Sequence, residues 1–224
     1  MLKEQIKNCF DHAANTYDSV ASIQKLSATR LVKLVNKDSF VSILDIGCGT
    51  GNTSLELYPK YPDAEYTFCD IAKNMLEIAA KKFPKPVKQI CCDAEHYEFE
   101  QYYDLAISNL SMQWFTDIKA FIQKIRKRSR LFAFSTLLNT SFASYQKLFE
   151  TPPTFKYPTT EEMLSITLQQ YAIQRYTIEF ENFFGVAKYF RKLGAHVKSH
   201  SNPPKLINKN TPIKLDYDIF LAVV

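Results

Sequence analysis

The chain has 224 residues, 46% of them hydrophobic and 23% charged, with a net charge of +5. That usage is ordinary for a folded domain and excludes disordered, collagenous and disulfide-scaffold classes. The longest apolar run, Ile219–Val224, is far short of the ~20 residues that span a bilayer, and the charged Met1–Lys7 stretch lacks the apolar centre of a secretion signal.

Five cysteines, an odd count with no zinc-ligand spacing, fit a reduced, cytoplasmic chain without a metal site. The mild positive charge suits an acidic small molecule, an acidic protein or nucleic acid, and by itself selects none. Glycine is the informative residue. There are five, and three of them, Gly47, Gly49 and Gly51, fall within five positions.

In chain order, Leu2, Ile6, Cys9, Phe10, Ala13 and Ala14 repeat at helical spacing, and a second helix runs from about Val20 to Val35. The period then changes: Val41 to Ile46 reads as a buried strand that runs straight into the glycine cluster. Helical sequence resumes from Asn52 to Pro59. Tyr66 to Cys69 is a second strand ending at Asp70, and Met75, Leu76, Ala79 and Phe83 mark the helix after it. Val87 to Cys91, Leu105 to Ser108 and Leu131 to Phe134 are further strands, with a helix at Ile118–Ile125 between the last two. Strands apolar on both faces, alternating with helices, predict a parallel sheet covered on both sides. The second half differs. Residues 139–170 read as helices and turns, with Thr159 and Glu162 at capping-box spacing. Tyr176, Ile178 and Phe180 alternate with polar residues, as do Ile213, Leu215, Tyr217 and Ile219, which predicts antiparallel strands at the sheet's edge. Between them Val186, Phe190 and Leu193 form a helix that stops at Gly194.

Glycines directly after the first strand let backbone approach a ligand and aim amides at it. The dinucleotide fingerprint wants a third glycine three residues after the second; here it comes two after, which argues against a dehydrogenase. A tight turn alone would need one glycine, not three. Asp70, 19 residues beyond Gly51, can accept from ribose hydroxyls or cap the following helix. Asp93, after the third strand, can accept from an adenine amine or belong to a surface loop. Asn109 ends the fourth strand. Four successive strands deliver polar groups to one edge, where parallel sheets bind ligands.

The segment Asp45-Ile46-Gly47-Cys48-Gly49-Thr50-Gly51 resembles the first motif of class I S-adenosylmethionine-dependent methyltransferases, and Asp70, the Asp93-Ala94 pair and Asn109 fall where that superfamily binds ribose, adenine and the methionine end. Phe10–Asp18 with Ala21 and Gln24, Asp70-Ile71 with Met75-Leu76, Asn109–Trp114, Phe134–Leu137 and Leu193–Ala195 resemble the malonyl-acyl-carrier-protein O-methyltransferases of biotin synthesis, over nearly the whole chain. His12 stands where that family usually has arginine. The resemblance implies a Rossmann-like fold with a mostly parallel seven-stranded sheet, an antiparallel edge, N-terminal helices and a helical lid. It implies one domain over 1–224, with a helical cap at 1–38, a cofactor-binding core at 39–137, a lid at 139–170 and closing strands at 171–224. It implies cofactor contacts from Tyr17, Gln24, Asp45, Gly47, Cys48, Gly49, Gly51, Asp70, Ile71, Met75, Asp93, Ala94, Asn109 and Leu110, with S-adenosyl-L-methionine as cofactor.

Methyl transfer to a carboxylate asks the protein mainly for alignment and water exclusion, because the acid is already ionised at neutral pH. None of His12, His96, His196 and His200 is spaced against a nucleophile. Tyr17, Gln113 and Trp114 are the residues expected at the transfer site, with ordinary packing as the alternative for each. Lys124–Arg130 carries five cations in seven residues but lies at the far end of the sheet, as a solvated helix terminus. Lys188, Arg191, Lys192 and Lys198 follow the sixth strand and are the expected contacts for an acidic acyl-carrier protein bearing malonyl-phosphopantetheine; malonyl-coenzyme A is the other candidate carrier. A small-molecule or ubiquinone-type methyltransferase and a cofactor-binding protein without turnover are the competing readings. A nucleic-acid methyltransferase is disfavoured, since no target-base motif is present, and no membrane partner is expected.

Overall fold

The computed structural model describes residues 2–35, 39–147, 156–196 and 211–224. Two helices lead, α1 (Leu2–Tyr17) and α2 (Ser22–Leu34). Then β1 (Ser42–Ile46), α3 (Asn52–Leu57), β2 (Glu65–Asp70), α4 (Lys73–Lys82), β3 (Lys88–Cys91), β4 (Tyr103–Asn109), α5 (Ile118–Arg126) and β5 (Ser129–Leu137) alternate, with a 3-10 turn at Met112–Trp114. Two short helices, α6 (Ala143–Gln146) and α7 (Thr160–Leu164), precede β6 (Gln170–Phe180), α8 (Phe183–Leu193) and β7 (Ile213–Val223).

The seven strands form one sheet in the order β3-β2-β1-β4-β5-β7-β6. The first five are parallel, and β7 runs antiparallel to both β5 and β6. This is the Rossmann-like arrangement with the predicted antiparallel edge. Because side chains alternate across a strand, each central strand feeds two cores. Ile43, Phe68, Leu105 and Ala133 meet α2, α3, α4 and α8 on one face. Leu44, Cys69, Ala106 and Phe132 meet α5 and the Met163 side chain of α7 on the other. Fully burying an apolar side chain of this size contributes roughly 1.5–3 kcal/mol, so this doubly covered centre is the rigid base under the site.

Two expectations need correction. The third strand, read as apolar on both faces, is largely exposed, because it is the outermost strand and pairs with β2 alone. The sixth strand begins six residues before Tyr176: Gln170–Arg175 extends it by pairing with Asp218–Val223 of β7. That long hairpin carries its own cross-strand pairs, Arg175 with Asp218, Thr177 with Asp216 and Lys214 with Glu179. Elsewhere the reading holds. Thr159 and Glu162 form a reciprocal capping box on α7, and Gly194, with φ 76°, ends α8 in the left-handed region.

Candidate active site

The strand ends of β1, β2 and β4, the segment after β3 and the inner side of α1 line one common cavity. The turn after β1 forms its floor. All three of its glycines have positive φ, each for a different reason. A Cβ on Gly47 would stand 2.4 Å from the Ser111 Cβ, so this glycine lets β4's exit loop cross the turn. A Cβ on Gly51 would meet the Ala79 backbone at 3.3 Å, so this one seats α4. At Gly49 nothing lies within 4 Å, and the missing side chain is cavity space. The amides do not face that space as expected. Gly47 and Cys48 donate to the Cys69 carbonyl, Gly49 to the Asp70 carboxylate and Gly51 to the Cys48 carbonyl. The turn therefore offers room, not donors.

Asp70 ends β2 with its carboxylate on the cavity wall and only 8% exposed. Its oxygens accept from Gly49 N and Ala72 N, both at 2.8 Å. Burial, partly offset by those bonds, pushes its pKa up to about 6. It is not the cap of α4: Ala72 is the N-cap residue, and the Asn74 amide is capped at 2.8 Å by Asp11 of α1. Asp93 also reaches the cavity. The Lys3 ammonium stands 3.3 Å from it and 3.0 Å from Glu95, and lies over the Phe115 ring. Glu95 in turn accepts from the Thr116 and Asp117 amides, at 2.7 and 2.8 Å. Lys3 thus fastens the start of α1 to the loops after β3 and β4. The ligand atoms of Asp93, Glu95 and His96 lie within 4.8 Å of one another, with the Lys3 ammonium beside two of the three.

Asn109 lines the cavity, but its side chain is engaged behind it. Oδ1 accepts from Ser27 and Ser135, both at 2.7 Å, and Nδ2 donates to the Gln24 carbonyl at 3.0 Å. These bonds clamp α2 onto β4 and β5. The next residue, Leu110, has φ 48°, a left-handed conformation unusual for leucine; such strain is characteristic of functional sites. Tyr17, Gln24, Cys48, Ile71, Met75, Ala94 and Trp114 also face the cavity. Burial drives the Tyr17 hydroxyl's pKa upward, so it stays neutral. The Gln24 side-chain Oε1 is buried with no hydrogen-bond partner among the described residues. Trp114 meets the Phe10 ring edge-to-face at 5.6 Å.

Three expected site residues do not reach the cavity. Asp45 is buried behind the turn, accepting from the Ser54 hydroxyl at 2.6 Å, and burial raises its pKa to about 7. Gly51 serves helix packing. Gln113 turns inward and donates to the Leu110 carbonyl at 2.7 Å, which holds the bend after β4. Lys188 and Arg191 are exposed on α8, and Lys192 is half-buried with its carbonyl bonded to Thr16. None of the three lines the cavity. They sit where the last turn of α8 leans on the cavity helix α1, since Gly194 packs directly on Phe10. Lys198 lies outside the described residues.

Residue-by-residue reading missed Lys3, Thr53, Ser111 and Phe115 as lining groups, and Asp18 as the joint between α1 and the glycine turn. The Asp18 carboxylate accepts from Thr50 at 2.7 Å, Asn52 at 2.9 Å and Lys82 at 2.7 Å. The repeated polar positions at Thr50 and Asn52 signal a partner there. Nothing in the sequence links Lys3 to residues 90 positions away.

Residues 43–130 match the family model for a methyltransferase domain. A malonyl-[acyl-carrier protein] O-methyltransferase of Acetivibrio thermocellus is 31% identical over 235 residues, covering 92% of this chain and 82% of that one. The enzyme of that name from Anoxybacillus flavithermus is 35% identical over 209 residues, covering 85% and 78%. Among solved structures, the YcgJ protein of Bacillus subtilis superposes with a TM-score of 0.63 at 16% identity, covering 88% of this chain and 97% of that one. The plantazolicin methyltransferase BpumL, crystallised with SAH, superposes with a TM-score of 0.55 at 15% identity, covering 99% and 96%. Those structural likenesses carry the fold, and the sequence relatives carry the family: this chain belongs to the malonyl-[acyl-carrier protein] O-methyltransferases.

Proposed function

We infer that the protein is an S-adenosylmethionine-dependent O-methyltransferase that methylates the free carboxylate of a malonyl thioester on acyl-carrier protein, an early step of biotin synthesis. The observation that carries this reading is the cavity itself, bounded by Gly49, Asp70, Asp93 and Asn109 at four consecutive strand ends. Its residues fit the cofactor. The Gly49 position leaves backbone bare for close approach, the Asp70 carboxylate has lone pairs for ribose hydroxyls, and Gln24 Oε1 is a buried acceptor in want of a donor.

When bound, the sulfonium cofactor supplies an activated methyl group and a good leaving group. The protein's task is to position and to keep dry. A malonyl carboxylate is ionised at neutral pH and needs no base, which agrees with a cavity in which the one phenol, Tyr17, is held neutral. Phe10, Trp114 and Phe115 wall the cavity with aromatic surface and exclude water. Tyr17 and Gln24, from the two N-terminal helices, bracket the transfer site, with Trp114 across from α1. Asp45 and Gln113 act through the turn and the bend that they hold. The exposed cations Lys188 and Arg191 on α8 suit an acidic carrier whose phosphopantetheine arm enters beside α1. Among the described residues no helix is long and apolar enough to cross a membrane.

Incubating the purified protein with methyl-labelled cofactor and malonyl-acyl-carrier protein is the direct test. Label should appear as a base-labile methyl ester on the carrier, and Gly49→Val should abolish it together with the ligand-induced rise in Tm. Cofactor binding without ester formation on either malonyl thioester would move the assignment to another methyl acceptor.

A further inference from the structure

Cys69 and Cys92 play no part in methyl transfer, yet they are placed as a pair. Cys69 is the penultimate residue of β2 and is completely buried. Cys92 directly follows β3, and its side chain forms part of the cavity wall with Asp70 and Asp93. Their Sγ atoms are 3.4 Å apart. The Cys92 amide donates to the Asp70 carbonyl at 3.0 Å, so the ladder between the two strands holds the pair together. The other thiols have other neighbours: Cys48 the Gly49 carbonyl, Cys91 the Ile71 carbonyl and Cys9 the His196 ring.

We propose that Cys69 and Cys92 form an oxidisable pair, a modification site at which a peroxide drives an intramolecular disulfide that reshapes the wall of the cofactor cavity. The cavity is the route to it, because Cys92 faces that space and Cys69 is sealed behind it. The Cys92 sulfur attacks one oxygen of hydrogen peroxide, the O–O bond breaks, and water leaves, giving a sulfenic acid on Cys92. The Cys69 sulfur then attacks that sulfur, the S–O bond breaks, and the Cys69 proton departs with the oxygen as a second water. Two thiols lose two electrons and two protons, and one peroxide becomes two waters. The order of attack follows from access: Cys92 lines the cavity and meets the peroxide first, and Cys69, completely buried and in contact with it, is the resolving thiol.

Closure has a structural consequence. The sulfurs must come from 3.4 Å to about 2.05 Å. Cys69 is locked in a strand paired on both sides, whereas Cys92 lies beyond the end of the outermost strand. The shift therefore falls on Cys92, Asp93 and Ala94, which wall the cavity beside Asp70. A disulfide is reopened by thiol exchange, so the modification is reversible with a thiol reductant. A bound cofactor would in turn shield Cys92 from peroxide. That coupling rests on reading the cavity as the S-adenosylmethionine site; the cross-link itself does not.

The full-length protein is treated with hydrogen peroxide, with and without S-adenosylhomocysteine, then alkylated, digested and mapped by mass. The expected product is one peptide pair joined through Cys69 and Cys92, two hydrogens lighter than its parts and suppressed by S-adenosylhomocysteine. Affinity for S-adenosylhomocysteine, measured by calorimetry, should fall by about tenfold or more, as when one buried hydrogen bond is lost, and recover with dithiothreitol. Cys69→Ala should bind normally when reduced and give no cross-link; should it fail to fold, Cys92→Ser, read by the peptide map alone, should likewise give no cross-link. Peroxide that converts Cys92 to higher acids without joining it to Cys69 overturns the proposal, and so does a complete cross-link that leaves affinity unchanged. Reduced protein that does not bind S-adenosylhomocysteine sinks the reading of the cavity, while the peptide map still decides the disulfide.

Discussion

At the scale of single residues, two neighbouring strands and the turn between their ends hold two carboxyls to opposite uses. Asp70 faces the cavity, and Asp45 sits sealed behind the same turn with Ser54 as partner. Burial raises the pKa of Asp45 to about 7, whereas the unfolded chain's aspartate stays near ~3.9. A folded-state pKa above the unfolded one means that stability is complete below the unfolded value and is lost as pH rises through the folded one. Asp70, at about 6, acts in the same direction. Between those values the unfolded chain is ionised while the folded carboxyls keep their protons, so the ligand-free protein should lose Tm from about pH 4 to pH 7. Asp45→Asn keeps an acceptor for Ser54 and removes one of the two titrations, so its decline should be shallower; parallel curves would mean that Asp45 does not carry the burial cost. The place of Asp70 was legible in the sequence, from its position at a strand end beside the glycine turn; that of Asp45 was not. The motif marks Asp45 and three glycines as a unit, but whether a group faces ligand, helix or core depends on contacts with Ser54, Ser111 and Ala79 made only after folding.

At the scale of elements, α1 is the wall of the site that comes from outside the sheet, pinned by Lys3 at its start, Asp11 at its middle and Asp18 just past its end. Burial works to raise the Asp18 carboxyl's pKa, but the bonds from Lys82, Asn52 and Thr50 outweigh it and hold the carboxyl below the usual aspartate range. A depressed pKa contributes stability above the unfolded value that disappears as pH falls through the folded one. Asp18→Asn should destabilise the protein at neutral pH by about 1 kcal/mol once solvent screening is allowed for, and the gap from wild type should close in acid. Weaker cofactor binding at neutral pH should accompany it, because the carboxylate joins α1 to the turn. A gap of the same size at all pH values would show that packing, not charge, makes this joint. The order of elements could be read from periodicity because the central strands are buried on both faces. The outer strands could not: β3 shows water most of its short length, and Gln170–Arg175 becomes strand only through its register with Asp218–Val223. Lys3 and Asp11 make contacts across 90 and 63 positions that no local pattern encodes.

At the scale of the whole molecule, a net charge of +5 is too small to steer by itself, so placement decides what the cations do. Part of the Lys124–Arg130 run is engaged locally: Lys124 bonds the Glu95 carbonyl and pairs with Glu98, and Arg130 holds the Ser39 carbonyl beside the Phe40 ring. Lys188 and Arg191 are different. They lie exposed on α8, whose far end rests on the helix that walls the cavity. An acidic carrier docked there would bring its thioester arm to the gap beside α1. Reversing both charges, Lys188→Glu with Arg191→Glu, should raise the KM for malonyl-acyl-carrier protein by about tenfold at low salt, with kcat little changed. The effect should shrink at high salt, since exposed charges are screened beyond ~10 Å at 0.1 M. Malonyl-coenzyme A lacks the carrier's surface, so its KM should move little in the same variant. Equal losses on the two thioesters would assign these cations to the pocket or the fold, and no loss on either would place the carrier on another face of the molecule.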